Sequence, residues 1–376
     1  MKTFRNFAKK YSKKLNSHLS KSFSNKIKFA PETINDEDSE ETYSFSNQHF
    51  KYLGNNPYWT KFKNIRLRSL VVKALFNVEV IFQGVVVNDI GEIELESTIF
   101  QKEYLYKLKC NHLIYFRKFF PFKFYNKAII LSNYLERNYY HWILESVGRL
   151  VIIDKNVLNE YKIILNHNAP IFAIESLQVL FNIPPENIIQ NKNVRLKIAD
   201  ILLPSYPHTR SKQSSWTNIN NQNIIKKINS ISKTKTISTK QKRNIIISRN
   251  KTSQRRIKNV HYLLEKYKHL NFEIIDLESF SFLDQLQLFR NAGIILATHG
   301  AGLTNIIFSE NPSIIEFFPS NRNKRDAFYF YQISNALNFN HTIIEYTCNH
   351  PNQDFIIENQ ILNQLDIIFG EQLKCN

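Results

Sequence analysis

Three clusters in this chain have residue types and spacings suited to chemistry. The first is Tyr140-His141-Trp142-Ile143-Leu144-Glu145, where a histidine and a glutamate stand four apart and share one helical face. Imidazole takes a hydroxyl proton near neutral pH, and a carboxylate at that spacing can orient it. His141 is therefore the candidate general base, with Glu145 as its partner or rival. The second cluster is Ser248-Arg249 followed by Arg255-Arg256-Ile257-Lys258-Asn259. Guanidinium groups after a buried strand can clamp a diphosphate bidentately. Cations at a helix start also oppose its dipole, which points to a bound anion. The third cluster is His299-Gly300-Ala301-Gly302-Leu303-Thr304-Asn305, with Glu316 one strand further on. Backbone N–H groups of a Gly300–Thr304 turn suit a phosphate, and Glu316 at the next strand end suits ribose hydroxyls.

These residues need elements to hold them. Ala128–Leu131, Tyr161–Leu165, Asn244–Ser248, Phe272–Ile275, Ile294–Leu296, Ser313–Phe317 and Thr342–Tyr346 are short apolar runs of the kind found in strands buried on both faces. Helical stretches alternate with them at 138–150, 171–180, 256–267, 282–289 and 327–337, the fourth entered through a Ser281-x-x-Asp284 capping box. Repeated βα units of this length predict parallel, doubly wound sheets. Before them, residues 65–107 read as antiparallel strands, with an Asn88-Asp89-Ile90-Gly91 hairpin turn. A Ser-, Asn- and Lys-rich stretch from Thr209 to Lys242 reads as a connection between two halves, broken by a short helical segment at 224–231.

The chain has 376 residues, enough for two cores, and a formal net charge of +18, which calls for an anionic partner. Residues 1–30 carry nine Lys or Arg and no acid, and Phe4, Phe7, Tyr11, Leu15 and Leu19 recur at helical spacing. Such a helix suits an anionic membrane surface, and the acidic stretch Glu32 to Glu41 after it reads as a linker. The basic residues are spread among strand ends and this segment, with no nucleic-acid recognition motif, so nucleic acid is not the expected partner. Three scattered cysteines without ligand spacing argue for a reducing compartment and against a structural metal. No span or signal peptide is visible, so the expected location is cytoplasmic, peripheral at the membrane.

Taken together the clusters resemble glycosyltransferase family 61. The Tyr-x-His-Trp-like segment appears as NYYHWILESVGRL, with Gly148 where the family usually has Pro. The Ser-Arg and Arg-Arg-Ile-x-Asn pattern appears as SRNKTSQRRIKN, with Val260 where Glu often follows. The His-Gly-Ala-Gly-Leu-x-Asn-x-x-Phe and Ile-Glu pattern appears as HGAGLTNIIF and IIEFFP. The resemblance implies a GT-B-like α/β fold, two Rossmann-like domains facing a cleft, here with an N-terminal β-rich extension. It implies an inverting transfer from a nucleotide sugar, UDP-linked, to a glycan or other hydroxyl acceptor in surface polysaccharide or glycoconjugate synthesis. No further cofactor and no obligatory metal are implied. The expected organisation is a basic segment and linker over 1–45, an acceptor-side domain over 46–210, a linker over 211–242, and a nucleotide-sugar domain over 243–376. His141 and Glu145 are the expected catalytic pair. Arg249, Arg255 or Arg256, Asn259 and the residues His299 to Asn305 are expected at the diphosphate, and Glu316 at the ribose. The competing expectations are a non-catalytic member that only binds nucleotide or glycan, and a basic nucleic-acid binder.

Deleting residues 1–30 is expected to abolish sedimentation with anionic vesicles while nucleotide affinity stays within twofold. Vesicle binding that survives the deletion removes the amphipathic-helix reading.

Overall fold

Runs of isoleucine, leucine and valine bounded by polar turns become two six-stranded sheets in a mixed α/β architecture. The computed structural model describes residues 121–374 apart from 134, 194, 210–218, 221 and 349–350. Before residue 121 it describes only 42–43, 50–54, 65–66, 70–81, 84–97 and 119. The basic segment over 1–30 and the acidic stretch after it lie outside the described residues.

The first sheet takes β2 (Val72–Ile81), β3 (Val85–Val87), β4 (Phe122–Ile130), β5 (Lys162–Asn166), β6 (Ile188–Asn191) and β7 (Arg195–Pro204), in the order β3-β2-β7-β4-β5-β6. Its β4, β5, β6 and β7 run parallel, while β2 and β3 are antiparallel additions. The second sheet takes β1 (Phe50–Leu53), β8 (Arg243–Ile247), β9 (Phe272–Ile275), β10 (Ala292–Thr298), β11 (Ser313–Pro319) and β12 (Asn340–Tyr346). It is parallel throughout, in the order β9-β8-β10-β11-β12-β1. The chain leaves β8 for β9 on one side and returns to β10 on the other, so the sheet reverses direction between β8 and β10. Crevices at the carboxyl ends of strands at such a reversal are where α/β sheets bind ligands.

Period-two alternation sorts the strand side chains. Ile129 and Leu131 of the first sheet and Ile245, Ile247, Ile295 and Ala297 of the second belong to one core, filled by the helices between them. That core unites helix α1 (residues 139–150), α2 (Ile171–Phe181), α3 (Gln222–Lys233), α5 (Phe282–Arg290), α6 (Phe328–Leu337) and the 3₁₀ helix Ala301–Phe308. The alternate residues Ile246, Leu296, Ile315 and Phe317 face a second core, which α4 (Val260–Lys266) and α7 (Asn359–Lys374) cover. Ser281 caps α5 as its spacing predicts, its hydroxyl accepting from the Asp284 amide.

The structure departs from the sequence expectations in five places. The stretch expected as a linker over 211–242 contains α3, which buries Ile224, Ile225 and Ile228 in the shared core. Its Asn229 donates to the carbonyls of Ile307 and Ser309. The polar composition belongs to one face of an amphipathic helix rather than to a free connection. Strand β1, expected within the first domain, completes the edge of the second sheet. The helix expected from Arg256 begins only at Val260, because Arg255 sits at φ 60 and Ile257 bridges to Phe355. The Asn88–Gly91 turn forms, but a single Val87–Ile93 bridge follows it; the longer hairpin turns at Gly84 between β2 and β3. Helix α7 was not anticipated, since its apolar positions sit in a polar, Asn- and Gln-rich setting.

Phe308 is fully buried in the shared core, edge-on to Phe282 at 5.6 Å. Phe308→Ala is expected to remove about 3–5 kcal/mol. Because that core joins helices of both halves, urea denaturation should still show one transition, by tryptophan fluorescence and by circular dichroism. Two separated transitions in the parent protein would mean that the halves fold independently.

Candidate active site

Helix α1 follows the carboxyl end of β4, where Leu131 and Ser132 still bond to the Ile164 carbonyl of β5. Asn138 caps it, its side chain accepting from the amide of Tyr140. The helix then widens into a π-turn over Trp142–Val147, a distortion that recurs at functional sites. From Trp142 to Leu150 every side chain is buried. Several polar members of this helix have fixed partners: the Trp142 indole donates to Ser176, Ser146 accepts from Asn133, and Arg149 donates to the Pro204 carbonyl while lying over the Tyr206 ring. Gly148 is where the helix touches Pro207 and Ile224; a Cβ there would stand 3.0 Å from the Pro207 ring.

His141 is the polar side chain of this helix that reaches the surface. Its Nδ1 lies 2.7 Å from Glu145 Oε1, with the imidazole 19 % exposed and the carboxylate fully buried. Burial lowers the His141 pKa, but the charge and hydrogen bond of Glu145 outweigh it and leave it above the ordinary histidine value. The pairing expected from their spacing is therefore present.

In the second sheet, register sets the donor-side cluster. Ile247 lies opposite Ala297, so Ser248-Arg249 and Thr298-His299 leave the sheet side by side at its reversal point. Arg249 Nε donates to the Gln254 carbonyl and Arg255 Nη1 to the His299 carbonyl. Neither is in an ion pair among the described residues. Burial lowers both pKa values, and Arg249 together with Arg322 pushes Arg255 further, to about 10. Arg322, just past β11, is the third guanidinium of this group and pairs with Asp326 at 2.7 Å. Ser248, Arg249, Asn250, Arg255 and Thr298 line a small pocket here. The buried Thr298 hydroxyl and Arg255 Nε have no hydrogen-bond partner among the described residues. A larger hollow lies at the opposite, amino end of the same sheet, lined by Lys240, Asn244, Asn311 and Asn340, away from every candidate residue.

Gly300 is extended at φ 174, so its need for glycine is one of space: a Cβ would fall 2.2 Å from Arg249 Nη1. At Gly302 a Cβ would meet Leu277 at 2.8 Å. The first N–H groups of the 3₁₀ helix, at Ala301 and Gly302, lack intrahelical partners by helix geometry. Leu303 and Thr304 point into the core.

Four residues expected at the ligand are engaged by partners within the protein. Arg256 grips Asp354 through Nε and Nη2 at 2.9 and 2.7 Å, and holds that buried carboxylate ionised at about 2 despite its burial. Asn259 is bonded both ways to the backbone of Ile357. Asn305 is fully buried, accepting from the Tyr139 hydroxyl at 2.5 Å and donating to Gln285. Glu316 is fully buried and turned onto two histidines: its Oε1 is 2.5 Å from His299 Nδ1, and His341 Nε2 is 3.2 Å from its Oε2. Burial raises the Glu316 pKa, yet the two histidines more than offset that and it falls below the ordinary carboxylate value. The His299 pKa is lowered by burial and by Arg322 and Arg255, so its Nδ1–H donates to an ionised carboxylate. The His299 ring is itself buried, and the residue meets the pocket only through its carbonyl, which accepts from the pocket-lining Arg255. Adjacent side chains in a chain can face opposite ways, which spacing alone does not resolve; Thr298 and Arg322, which line or charge the pocket, carried no motif signal.

The two clusters are near one another. The His299 ring is 5.0 Å from Phe330, Phe330 is 5.9 Å from Tyr140, and Tyr140 is 5.3 Å from His141.

Arg249→Ala and Arg255→Ala are expected to weaken UDP binding several-fold or more, measured by calorimetry, with unchanged or slightly raised melting temperatures. Arg256→Ala should do the reverse, lowering the melting temperature because Asp354 loses its guanidinium partner and keeps only Lys258 as an ion pair, while keeping UDP affinity. A loss of UDP affinity in Arg256→Ala alone would reassign the clamp.

The model of one protein family, Glycosyltransferase 61, matches residues 139–315, from Tyr139 of α1 to Ile315 of β11. No curated protein matches the chain.

Proposed function

We propose that this chain, a member of glycosyltransferase family 61 by its match over residues 139–315, is an inverting enzyme that moves a sugar from a UDP-linked donor to a hydroxyl of a glycan or glycoconjugate. In this reading the two sheets are the Rossmann-like halves of a GT-B arrangement, with the acceptor served by the first and the donor by the second. The observation that carries it is the group of Arg249, Arg255 and Arg322 at the reversal point of the second sheet, where like charges stand together. Mutual repulsion is relieved by a bound anion, and a diphosphate fits the charge, the unpartnered Thr298 hydroxyl and the free N–H groups of the Gly300 turn.

The chemistry follows from the two clusters. Glu145 accepts from His141 Nδ1–H, which leaves Nε2 to take the proton of the acceptor hydroxyl. The acceptor oxygen then bonds to the anomeric carbon as the bond to the diphosphate breaks on the opposite face. The electron pair passes to the diphosphate, whose growing charge the guanidinium groups stabilise. The leaving group's charge is thus met by side chains of the protein itself. A cytoplasmic location at an anionic membrane, through residues 1–30, accords with the charge of that segment.

The test is hydrolysis or transfer assayed over a panel of UDP- and GDP-linked hexoses, pentoses and N-acetylhexosamines. Since His141 acts only when neutral and its pKa is raised, the rate should fall on the acid side with a midpoint above about 6.5. His141→Ala should lose that limb and about 10²–10⁴ in turnover, with UDP affinity little changed. Glu145→Gln should move the limb downward with a milder loss. Near-normal turnover in His141→Ala would remove it as the base, and turnover of no donor in the panel would remove the transferase reading.

A further inference from the structure

Two consecutive tyrosines precede His141, and each reaches across to the donor side of the molecule. Tyr139 donates its hydroxyl to Asn305 Oδ1 at 2.5 Å, and Tyr140 accepts from Gln332 Nε2 of α6 at 2.6 Å. Asn305 stands five positions beyond Gly300 in the 3₁₀ helix whose first turn opens on the arginine pocket. It is fully buried, and its amide group is used at both ends, with Nδ2 donating to Gln285 of α5 at 3.0 Å. The Tyr139 ring is fixed independently, edge-on to Phe172 at 5.1 Å. The path from the pocket to the base is therefore short: the Gly300 turn, one 3₁₀ helix, one hydrogen bond, and two residues of α1.

We infer that the Tyr139–Asn305 hydrogen bond is a positioning contact that transmits occupancy of the donor turn to the catalytic histidine. The inference rests on the proposed function above. A ligand that fixes the turn also fixes the 3₁₀ helix, because the helix begins at the turn. Asn305 then holds the first turn of α1 at a set distance, and with it the His141 ring. Gln332 on Tyr140 acts as a second restraint that keeps α1 from rotating about that single bond. The benefit is one of orientation: reacting groups displaced by about an ångström lose on the order of 10²-fold in rate.

Tyr139→Phe removes the hydroxyl and keeps the ring against Phe172. It is expected to lower the rate of donor hydrolysis about tenfold, with UDP affinity by calorimetry held within twofold. Asn305→Ala should do the same, and the double variant should be no slower than the worse single one. A readout that needs no turnover accompanies these. Adding UDP should slow amide hydrogen exchange over residues 139–150 in the parent protein and leave it unchanged in Tyr139→Phe. A merely structural bond would lower the melting temperature but leave the rate and the UDP-dependent exchange as in the parent, and that result overturns the inference. Equal losses of rate and UDP affinity also overturn it, since the bond would then shape the donor pocket itself. If His141→Ala keeps its turnover while Tyr139→Phe loses it, the proposed base fails and the positioning contact stands.

Discussion

A fully buried, ionised carboxylate fixes the turn at the reversal point of the second sheet. Glu316 sits on β11 with His299 on one oxygen and His341 beside the other, and the Ser334 hydroxyl lies 2.8 Å from His341 Nδ1. Taking a hydrogen-bond donor from a buried carboxylate leaves its charge unsatisfied at a cost of about 1–3 kcal/mol or more, so this chain of four residues resists rearrangement. What it holds is the turn after β10. The His299 amide donates to the Phe317 carbonyl, and its carbonyl accepts from Arg255. The carboxylate thus acts on the pocket through the backbone, two bonds removed from any ligand.

Around that anchor the electrostatics run against stability in one place. Arg249 and Arg255 are partly buried, near each other and near Arg322, and both are pushed toward losing their protons. Proteins break local rules of this kind mainly at sites kept for a ligand. Elsewhere the same chain pairs its arginines well: Arg256 with Asp354, Arg243 with Glu273, Arg195 with Glu79. The contrast within one short segment, Arg255 against Arg256, separates an arginine with no carboxylate partner among the described residues from one fixed in an ion pair. The match of residues 139–315 to the Glycosyltransferase 61 model points to a reaction class, and the pocket chemistry accords with it.

Much of the architecture was legible because strands buried on both faces read as unbroken isoleucine and leucine runs, and the glycine turn interrupts one of them. The His141–Glu145 pair was legible from its spacing, since four residues bring two side chains onto one helical face. Side-chain direction was not. Arg255 adopts a left-handed backbone conformation that turns Arg256 the other way, toward Asp354, nearly a hundred residues later in the chain. Glu316 looked exposed at a strand end, yet alternation along β11 turns it inward with Ile314, onto the histidines. Asn259 and Asn305 have a ligand-like chemistry but spend it on Ile357 and Tyr139. Each of these outcomes depends on a partner far away in sequence, which local pattern does not contain.

Strand β1 carries a consequence for how the chain is made. It forms the edge of the second sheet beside β12, and the Tyr52 hydroxyl bonds to Glu345 across 293 positions. During synthesis from the N-terminus, β1 emerges before every other strand of its sheet, and its neighbour emerges last. The first sheet and the shared helical layer can assemble while β1 waits with its backbone groups unpaired. Contacts this distant slow folding, and a waiting strand is open to pairing with another chain. Docking of β1 is then the step that completes the second sheet, and it waits until β12 offers its edge.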